Sequence, residues 1–216
     1  MTSTTRTPGR LAAFPDFLPG DRFFALREEI LGIAKTERSY LPLHKKGGAI
    51  AYGTLRKLAP RTVALYHSVE HQKTIAAIVS AAVSPTPVDD ESSLSILVYE
   101  RPGDHIGWHY DHNFYRGRHF TVLLPIENCG RAADGLSAAR LLARMRGHDV
   151  VIPTPPNTLV VFEGARTLHR ATPIEDGERR VVLSMTYCTD PRNSRLQEAA
   201  RRIKDMAFFG LRALWH

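Results

Sequence analysis

The chain has 216 residues, 43% of them hydrophobic, which suits one domain with a substantial core and an added helical layer rather than two unrelated domains. The N-terminal residues lack the apolar core of a signal peptide, and no stretch of about 18 apolar residues is available to span a bilayer. We therefore expect a cytoplasmic protein without a membrane span. Cys129 and Cys188 form no CxxC pair, so reduced structural thiols are expected.

The formal net charge of +7 favours anionic partners, which include nucleic acids, anionic membranes and anionic small molecules. The arginines are scattered in small groups, such as the one at Arg140, Arg144 and Arg146. A basic groove interleaved with aromatic residues, typical of proteins that bind single-stranded nucleic acid, cannot be identified in the sequence. The charge pattern therefore argues against a nucleic-acid partner and leaves a small anionic molecule open.

The N-terminal half reads as a tail followed mainly by helices. Residues 1–16 are expected to form a disordered tail, and residues 17–216 a single domain. Apolar residues at helical spacing predict a helix from Asp21, a suitable N-cap, to about Lys35. Further predicted elements are a strand near Ala49 to Leu55 and a helix over His71 to Val83, which the following prolines end.

From Ser93 onward the pattern changes to short β-branched or aromatic runs separated by turn residues, which predicts strands. Five such strands imply a sandwich or barrel, so we expect a mainly β fold with helices. The predicted strands are Leu94 to Tyr99, Phe120 to Pro125, Val150 to Ile152, Thr158 to Phe162 and Val181 to Tyr187. The predicted helices are a short one over Ser137 to Arg146 and an amphipathic one over Ser194 to Trp215.

One imidazole and one carboxylate are expected side by side at His109 and Asp111, because alternation in an extended segment points both side chains to the same face. About one His-x-acid pair is expected by chance from ten histidines and 22 acidic residues, so the pair alone decides nothing. His169, a short loop after the strand ending at Phe162, is the natural third ligand. Two histidines and a carboxylate form the facial triad that leaves three positions on Fe(II) open.

Two arginines, Arg179 and Arg180, begin the strand that follows His169. A dicarboxylate that chelates iron at one end needs a fixed cation for its remote carboxylate, and the planar fork of arginine serves best. Alternation along the strand sends one of the two side chains into the barrel and the other outward. The residues themselves leave open which of the two faces inward.

Several separated motifs occur in one order along the chain. They are Tyr99-x3-Gly103-x5-His109-Tyr110-Asp111, Arg118-x2-Thr121, Asn128 and His169-x3-Pro173-Ile174-x2-Gly177-x-Arg179. Over about residues 93–190 this pattern resembles the 2-oxoglutarate/Fe(II)-dependent dioxygenase superfamily, nearest its prolyl-hydroxylase-like branch. The stretch from Trp108 to Pro125 also resembles the amino-acid hydroxylases and halogenases that act on small molecules.

The resemblance implies a double-stranded β-helix, or jelly roll, buttressed by N-terminal and C-terminal helices, with a catalytic core over about residues 93–190. It implies Fe(II) as the metal and 2-oxoglutarate and O2 as cosubstrates, in the hydroxylation of an unactivated C–H bond. The catalytic metal ligands that it implies are His109, Asp111 and His169. The cosubstrate residues that it implies are Arg179 or Arg180, with Tyr99 and Thr121.

Arg179 is preferred to Arg180 because it occupies the Gly-x-Arg position of the family motif. Hydroxylation is expected rather than halogenation, because Asp111 stands where the halogenases have glycine or alanine. The chain departs from the family after Asn128, where an insertion from Gly130 to Gly147 replaces a Gly-Gly-Glu-Thr-like segment. Substrate contacts in that segment therefore cannot be carried over.

Polar and aromatic residues around the predicted ligands suit a polar, charged small molecule, with a free amino acid or a related metabolite as the leading class. Arg116 or Arg118 is expected to pair with its carboxylate. The substrate residues considered are Trp108, His112, Asn113, Arg116, Arg118, Ser184 and Thr186. Replacement of both arginines without a rise in substrate KM would contradict the carboxylate-clamp hypothesis.

Other interpretations stay open. The enzyme could act on a protein side chain or an alkylated nucleic acid, and the cationic surface allows either. A non-catalytic barrel that binds a metal or a carboxylate, and a zinc hydrolase with the same three ligands, are the alternatives of another kind. The C-terminal helix is expected to cover the barrel or to form a lid or a homodimer contact, although its basic, apolar pattern also suits a membrane surface.

Overall fold

The computed structural model describes residues 5–7, 11–33 and 45–209. Its helices have recognisable ends. Helix α3 begins at Pro60, whose fixed φ suits a first turn, and α4 is capped by Ser68, whose hydroxyl accepts a hydrogen bond from the backbone N–H of His71. The helices are α1 (Gly20–Ile33), α2 (Tyr52–Leu58), α3 (Pro60–His67), α4 (Val69–Val79) and α5 (Arg195–Phe209), with a 3-10 turn at Gly164–Arg166.

The strands form two antiparallel sheets. They are β1 (Thr5–Thr7), β2 (Leu11–Phe14), β3 (Lys45–Lys46), β4 (Gly48–Ile50), β5 (Ser84–Pro85), β6 (Leu94–Tyr99), β7 (His105–His109), β8 (His119–Cys129), β9 (Leu141–Met145), β10 (His148–Ile152), β11 (Leu159–Phe162), β12 (His169–Ala171) and β13 (Arg179–Cys188). The major sheet has the order β1-β2-β11-β8-β13-β6-β4, with β5 on β13, and the minor sheet the order β10-β9-β12-β7-β3. The expected mainly β jelly roll with helices is confirmed.

Alternation along β13 divides the major sheet into two faces. Its apolar face packs with α1 to α4 in the largest buried cluster, through Val181, Leu183, Met185 and Tyr187. Its other face lines the cavity between the two sheets, through Arg180, Val182, Ser184 and Thr186. The helices therefore buttress the major sheet and leave the inner face free for polar groups.

The expectation of a disordered tail over residues 1–16 is wrong for residues 11–14. These residues form β2, which pairs with β11, and the side chains of Leu11, Ala12 and Ala13 are buried. Residues 11–14 form a strand because their apolar side chains are buried and because β11 offers an edge for pairing. Both effects depend on residues far away in the sequence.

Two further predictions were wrong in part or in full. The strand predicted near Ala49 to Leu55 stops at Ile50, because α2 begins at Tyr52 and buries Tyr52 and Leu55. The helix predicted over residues 137–146 is instead β9, which forms a hairpin with β10 and pairs with β12 on its other side. Tertiary pairing thus overrides the helical propensity of that segment.

Helix α5 differs from the expected amphipathic cover. Its Arg201 is 2% exposed, whereas the apolar side chains of Leu196 and Ile203 are 82% and 63% exposed. Residues 210–216 of the predicted helix lie outside the described residues. Within the described residues, no helix is long and apolar enough to cross a membrane.

Candidate metal centre

The three predicted ligands meet at one place between the sheets. His109 ends β7, His169 begins β12, and the two residues are partners in the strand register, with Asp111 two residues after His109. Their ligand atoms all lie within 4.8 Å of one another. Asp111 Oδ1 lies 3.5 Å from His109 Nε2 and 3.7 Å from His169 Nε2. The arrangement can hold one metal ion.

Backbone carbonyl groups orient both imidazoles. His109 Nδ1 lies 2.8 Å from the carbonyl oxygen of Gly107, and His169 Nδ1 lies 2.8 Å from that of Thr167. Because a carbonyl oxygen only accepts, each Nδ1 must carry the proton. Each Nε2 therefore has a free lone pair directed at the same point, as a metal ligand requires.

Asp111 is held so that one oxygen is free for a metal. The Thr121 hydroxyl donates to Asp111 Oδ2 at 2.5 Å, and the Asp111 backbone N–H donates to the carbonyl oxygen of Gly164. A Cβ at Gly164 would lie 2.1 Å from Asp111 Oδ2, so this position requires glycine. The result is a carboxylate whose Oδ1 faces the two imidazoles.

The charges at the centre favour an ionised carboxylate. Burial raises the pKa of Asp111, but the neighbouring imidazoles of His109 and His169 and the hydrogen bond from Thr121 outweigh burial and hold that pKa well below its usual range. Burial lowers the pKa of His169, although the charge of Asp111 opposes the change. At neutral pH the site thus offers an anionic oxygen and a neutral His169 imidazole.

A cavity of about 450 Å³ extends from the triad between the sheets. The major sheet contributes residues of β6, β8 and β13, the minor sheet contributes residues of β7, β9 and β12, and helix α5 contributes Lys204. The volume matches that of sites for small molecules. The ligand atoms are therefore accessible from an enclosed space with both apolar and polar walls.

The structure separates the two arginines of β13. Arg179 lies outside the cavity, where its guanidinium pairs with the carboxylates of Glu127 and Glu100. Arg180 is 2% exposed and lines the cavity beside Tyr99, its partner in the strand register. The expected alternation is correct, but the preference for Arg179 is wrong, because the register of β13 turns Arg180 inward.

Arg180 has hydrogen-bonding capacity that the described residues do not use. Its Nε and Nη1 atoms are buried without a hydrogen-bond partner in the part of the chain that the structure describes. An unpaired buried guanidinium is costly, so an anionic group in the cavity would stabilise it. Tyr99 lines the same region, whereas the Thr121 hydroxyl is already donated to Asp111.

The predicted substrate residues divide into two groups. Trp108, His112, Ser184 and Thr186 line the cavity. Arg116 is exposed, Arg118 pairs with Glu163 at 3.1 Å, and Asn113 is bonded to the backbone of Gly117 and Tyr115, so none of these three lines it. The structure therefore gives no support to the expected carboxylate clamp by Arg116 or Arg118, since neither side chain lines the cavity.

Sequence reasoning missed several polar residues of the cavity wall. They are Lys45, Asp90, Ser92, Ser95, His119 and Lys204. Alternation along β6 could have indicated Ser95, since it shares a face with Tyr99. His119 is buried, and its Nδ1 has no hydrogen-bond partner within the described ranges. Lys45, Asp90 and Lys204 come from distant segments and gave no local signal.

No family model matches the chain, and no curated protein matches it significantly. Solved structures do match. A prolyl-4-hydroxylase from Pseudomonas putida has a TM-score of 0.64 at 16% identity, over 86% of this chain and 95% of that chain. The carbocyclase SnoK of nogalamycin biosynthesis has a TM-score of 0.65 at 13% identity, over 89% and 87%.

A third match is the epimerase SnoN, in complex with Fe3+, alpha ketoglutarate and nogalamycin RO. Its TM-score is 0.64 at 13% identity, over 83% of this chain and 79% of that chain. The TM-scores of these three matches show a shared fold, and at such low identities they show the fold alone. The same architecture therefore carries a hydroxylase, a carbocyclase and an epimerase, so the fold alone does not define the reaction outcome.

Proposed function

We propose that this chain, which has the fold of the 2-oxoglutarate/Fe(II) oxygenases, is itself an oxygenase that hydroxylates an unactivated C–H bond of a polar small molecule. The observation that carries the proposal is the convergence of His109, Asp111 and His169 on one cavity that also contains the guanidinium of Arg180, whose Nε and Nη1 have no hydrogen-bond partner among the described residues. A simple metal-binding barrel needs no such remote cation. A substrate of the free amino-acid class remains the leading choice.

The donor set fits Fe(II). Two imidazole Nε2 atoms and one carboxylate oxygen form the two-His, one-carboxylate triad, which leaves coordination positions open towards the cavity. Thr121 holds Oδ2 of Asp111, so that Oδ1 binds the metal. Asp111 also favours hydroxylation over halogenation, since a carboxylate occupies the position that a halide would need.

The cavity also fits 2-oxoglutarate as cosubstrate. In this proposal Arg180 receives its remote carboxylate, and Tyr99 lies beside that group on the adjacent strand. When bound, Fe(II), 2-oxoglutarate and O2 supply the oxidising chemistry, with 2-oxoglutarate converted to succinate and carbon dioxide. The chain orients the cosubstrate with Arg180 and excludes water with the apolar walls formed by Leu97, Leu123 and Val182.

The test is an anaerobic titration of the protein with Fe(II) and 2-oxoglutarate, followed by the weak visible charge-transfer band of the chelate. We expect a band in the wild type, and a Kd for 2-oxoglutarate raised about tenfold to a hundredfold in Arg180→Met, because one charged hydrogen-bond donor is lost. Arg179→Met, the matched control from the adjacent position, is expected to leave that Kd within about twofold.

The outcomes separate the alternatives. A metal-loaded wild type without the band contradicts the oxygenase proposal and favours the zinc hydrolase or the binding barrel. An equal rise of the Kd for 2-oxoglutarate in Arg180→Met and Arg179→Met would contradict the role proposed for Arg180, but not the oxygenase proposal itself. The formation of succinate with modified oligonucleotides or peptides, but with no amino acid, would move the substrate to the macromolecular alternative.

A further inference from the structure

Lys45 is a buried cation that the proposed function does not yet use. It lies on the edge strand β3, is 7% exposed, and lines the cavity. Burial lowers the pKa of Lys45 to about 8, and no carboxylate in the described residues offsets this effect. A buried ammonium group without an anionic partner is unfavourable, so this position points to an anionic ligand.

The position of Lys45 distinguishes it from Arg180. Strand β3 pairs with β7, so that Lys45 is opposite Ile106, three residues before His109, in the minor sheet. Arg180 instead belongs to the major sheet, where it is opposite Tyr99 of β6. The two cations therefore enter the cavity from opposite sheets, and Lys45 shares its sheet with His109 and His169.

The charges in the cavity leave room for one more anion. Lys204 Nζ lies 3.3 Å from Asp90 Oδ1, so the charges of these two residues offset each other. The charged groups of the cavity wall that remain are those of Asp111, Lys45 and Arg180. A divalent metal with Asp111 carries one net positive charge, and the two cations raise this to three. The two carboxylates of 2-oxoglutarate offset two of them. A substrate carboxylate beside Lys45 would give this buried ammonium group an anionic partner, whereas an amide at the same place would leave its charge uncompensated.

We propose that Lys45 binds a carboxylate group of the substrate that the enzyme hydroxylates. The enzyme would then prefer substrates with this carboxylate to the corresponding amides. This inference rests on the proposed function, since it assigns Arg180 and the metal to 2-oxoglutarate. It replaces the clamp expected from Arg116 and Arg118, which do not line the cavity. In this proposal the substrate carboxylate would lie against the minor sheet, which also carries His109 and His169.

The test compares Lys45→Met with the control variant Lys46→Met. Lys46 is the next residue along β3, is exposed and does not line the cavity. Methionine keeps the unbranched apolar stem of the lysine side chain and removes the ammonium group, with its charge and its hydrogen-bond donors. The first measurement is the anaerobic 2-oxoglutarate titration of the Fe(II)-loaded protein. We expect both variants to bind 2-oxoglutarate within about twofold of the wild type, whereas Arg180→Met weakens it at least about tenfold.

The second measurement uses the free L-amino acids and their carboxamides as probes, with succinate release and the chelate band as readouts. In the wild type we expect at least one amino acid, and not its amide, to stimulate succinate release and to perturb the band. Lys45→Met should reduce the kcat/KM for that amino acid about tenfold or more, and Lys46→Met should leave it unchanged.

Three results would overturn the inference. Lys45→Met could weaken 2-oxoglutarate as much as Arg180→Met, which would make Lys45 a cosubstrate residue. Amino acids and their amides could stimulate succinate release equally in the wild type. Alternatively, none of the amino acids could change either succinate release or the chelate band of the wild type. Each of these leaves a normal chelate band in the wild type, whereas failure of the proposed function removes the band itself, so the two failures are distinguishable.

Discussion

The metal centre and the part of the cavity wall next to α5 are stabilised by different interactions. At the metal centre, strand pairing and backbone carbonyls fix His109 and His169, and one hydroxyl fixes Asp111. The second region, here called the α5 wall, consists of Asp90, Ser92 and Lys204. Its contacts are ionic, since Lys204 Nζ lies 3.3 Å from Asp90 and 2.6 Å from the Ser92 hydroxyl.

Arg201 anchors the α5 wall from behind. Its guanidinium lies 2.6 Å from Glu198, 2.8 Å from Asp89 and 2.9 Å from Asp205, although the side chain is 2% exposed. Backbone hydrogen bonds of a sheet hold a site within narrow limits, whereas ion pairs respond to salt and pH. The comparison indicates a rigid candidate metal centre and a wall whose stability depends on salt and pH, and three experiments test this difference.

The largest effect is expected at the metal centre from Gly164→Ala. The added methyl group would occupy space 2.1 Å from Asp111 Oδ2 and 2.5 Å from the Thr121 hydroxyl, and must displace the carboxylate. We expect metal affinity and turnover to fall about a hundredfold, as for loss of groups that orient a metal ligand. Gly32→Ala, where a Cβ meets no atom within 4 Å, is the control in α1. Unchanged Fe(II) affinity would contradict a rigid centre.

An intermediate effect is expected from Arg201→Met in the α5 wall. The substitution leaves Glu198, Asp205 and Asp89 without their shared cation, and we expect a loss of about 3 kcal/mol in the free energy of unfolding. Urea unfolding measures it, with Arg202→Met on the exposed side as control, expected within about 0.5 kcal/mol. Equal stabilities of the two variants would show that the buried network contributes nothing.

The smallest effect is the pH dependence of the same wall. The hydrogen bond from Arg201, which outweighs burial, lowers the pKa of Glu198 from 4.5 to about 2. A carboxyl group with a lowered folded-state pKa stabilises the fold above its unfolded pKa, and the contribution disappears as the pH falls from about 4.5 towards 2. The difference in urea midpoint between wild type and Glu198→Gln should therefore shrink over that range. A constant difference would contradict this linkage.

Much of the fold follows from local pattern. The strand Leu94–Tyr99 was predicted with its observed bounds, and β8, β11 and β13 were predicted in their central parts, because period-two alternation and β-branched residues are local signals. Residues 11–14 and β9 were missed, since their pairing partners are distant in sequence. Similarly, the triad was predictable from spacing and order, but the choice between Arg179 and Arg180 depended on strand register.

Local pattern in the chain predicted the candidate donor set, several strands around it, and a cation near the start of the last strand. Long-range packing, by contrast, fixes which cations face the cavity. Lys45, Lys204 and Arg180 line one space because an edge strand, a terminal helix and a central strand converge there. Such convergence depends on long-range packing and leaves no periodic signal in the chain, whereas the ligand pair and the alternating strands are local.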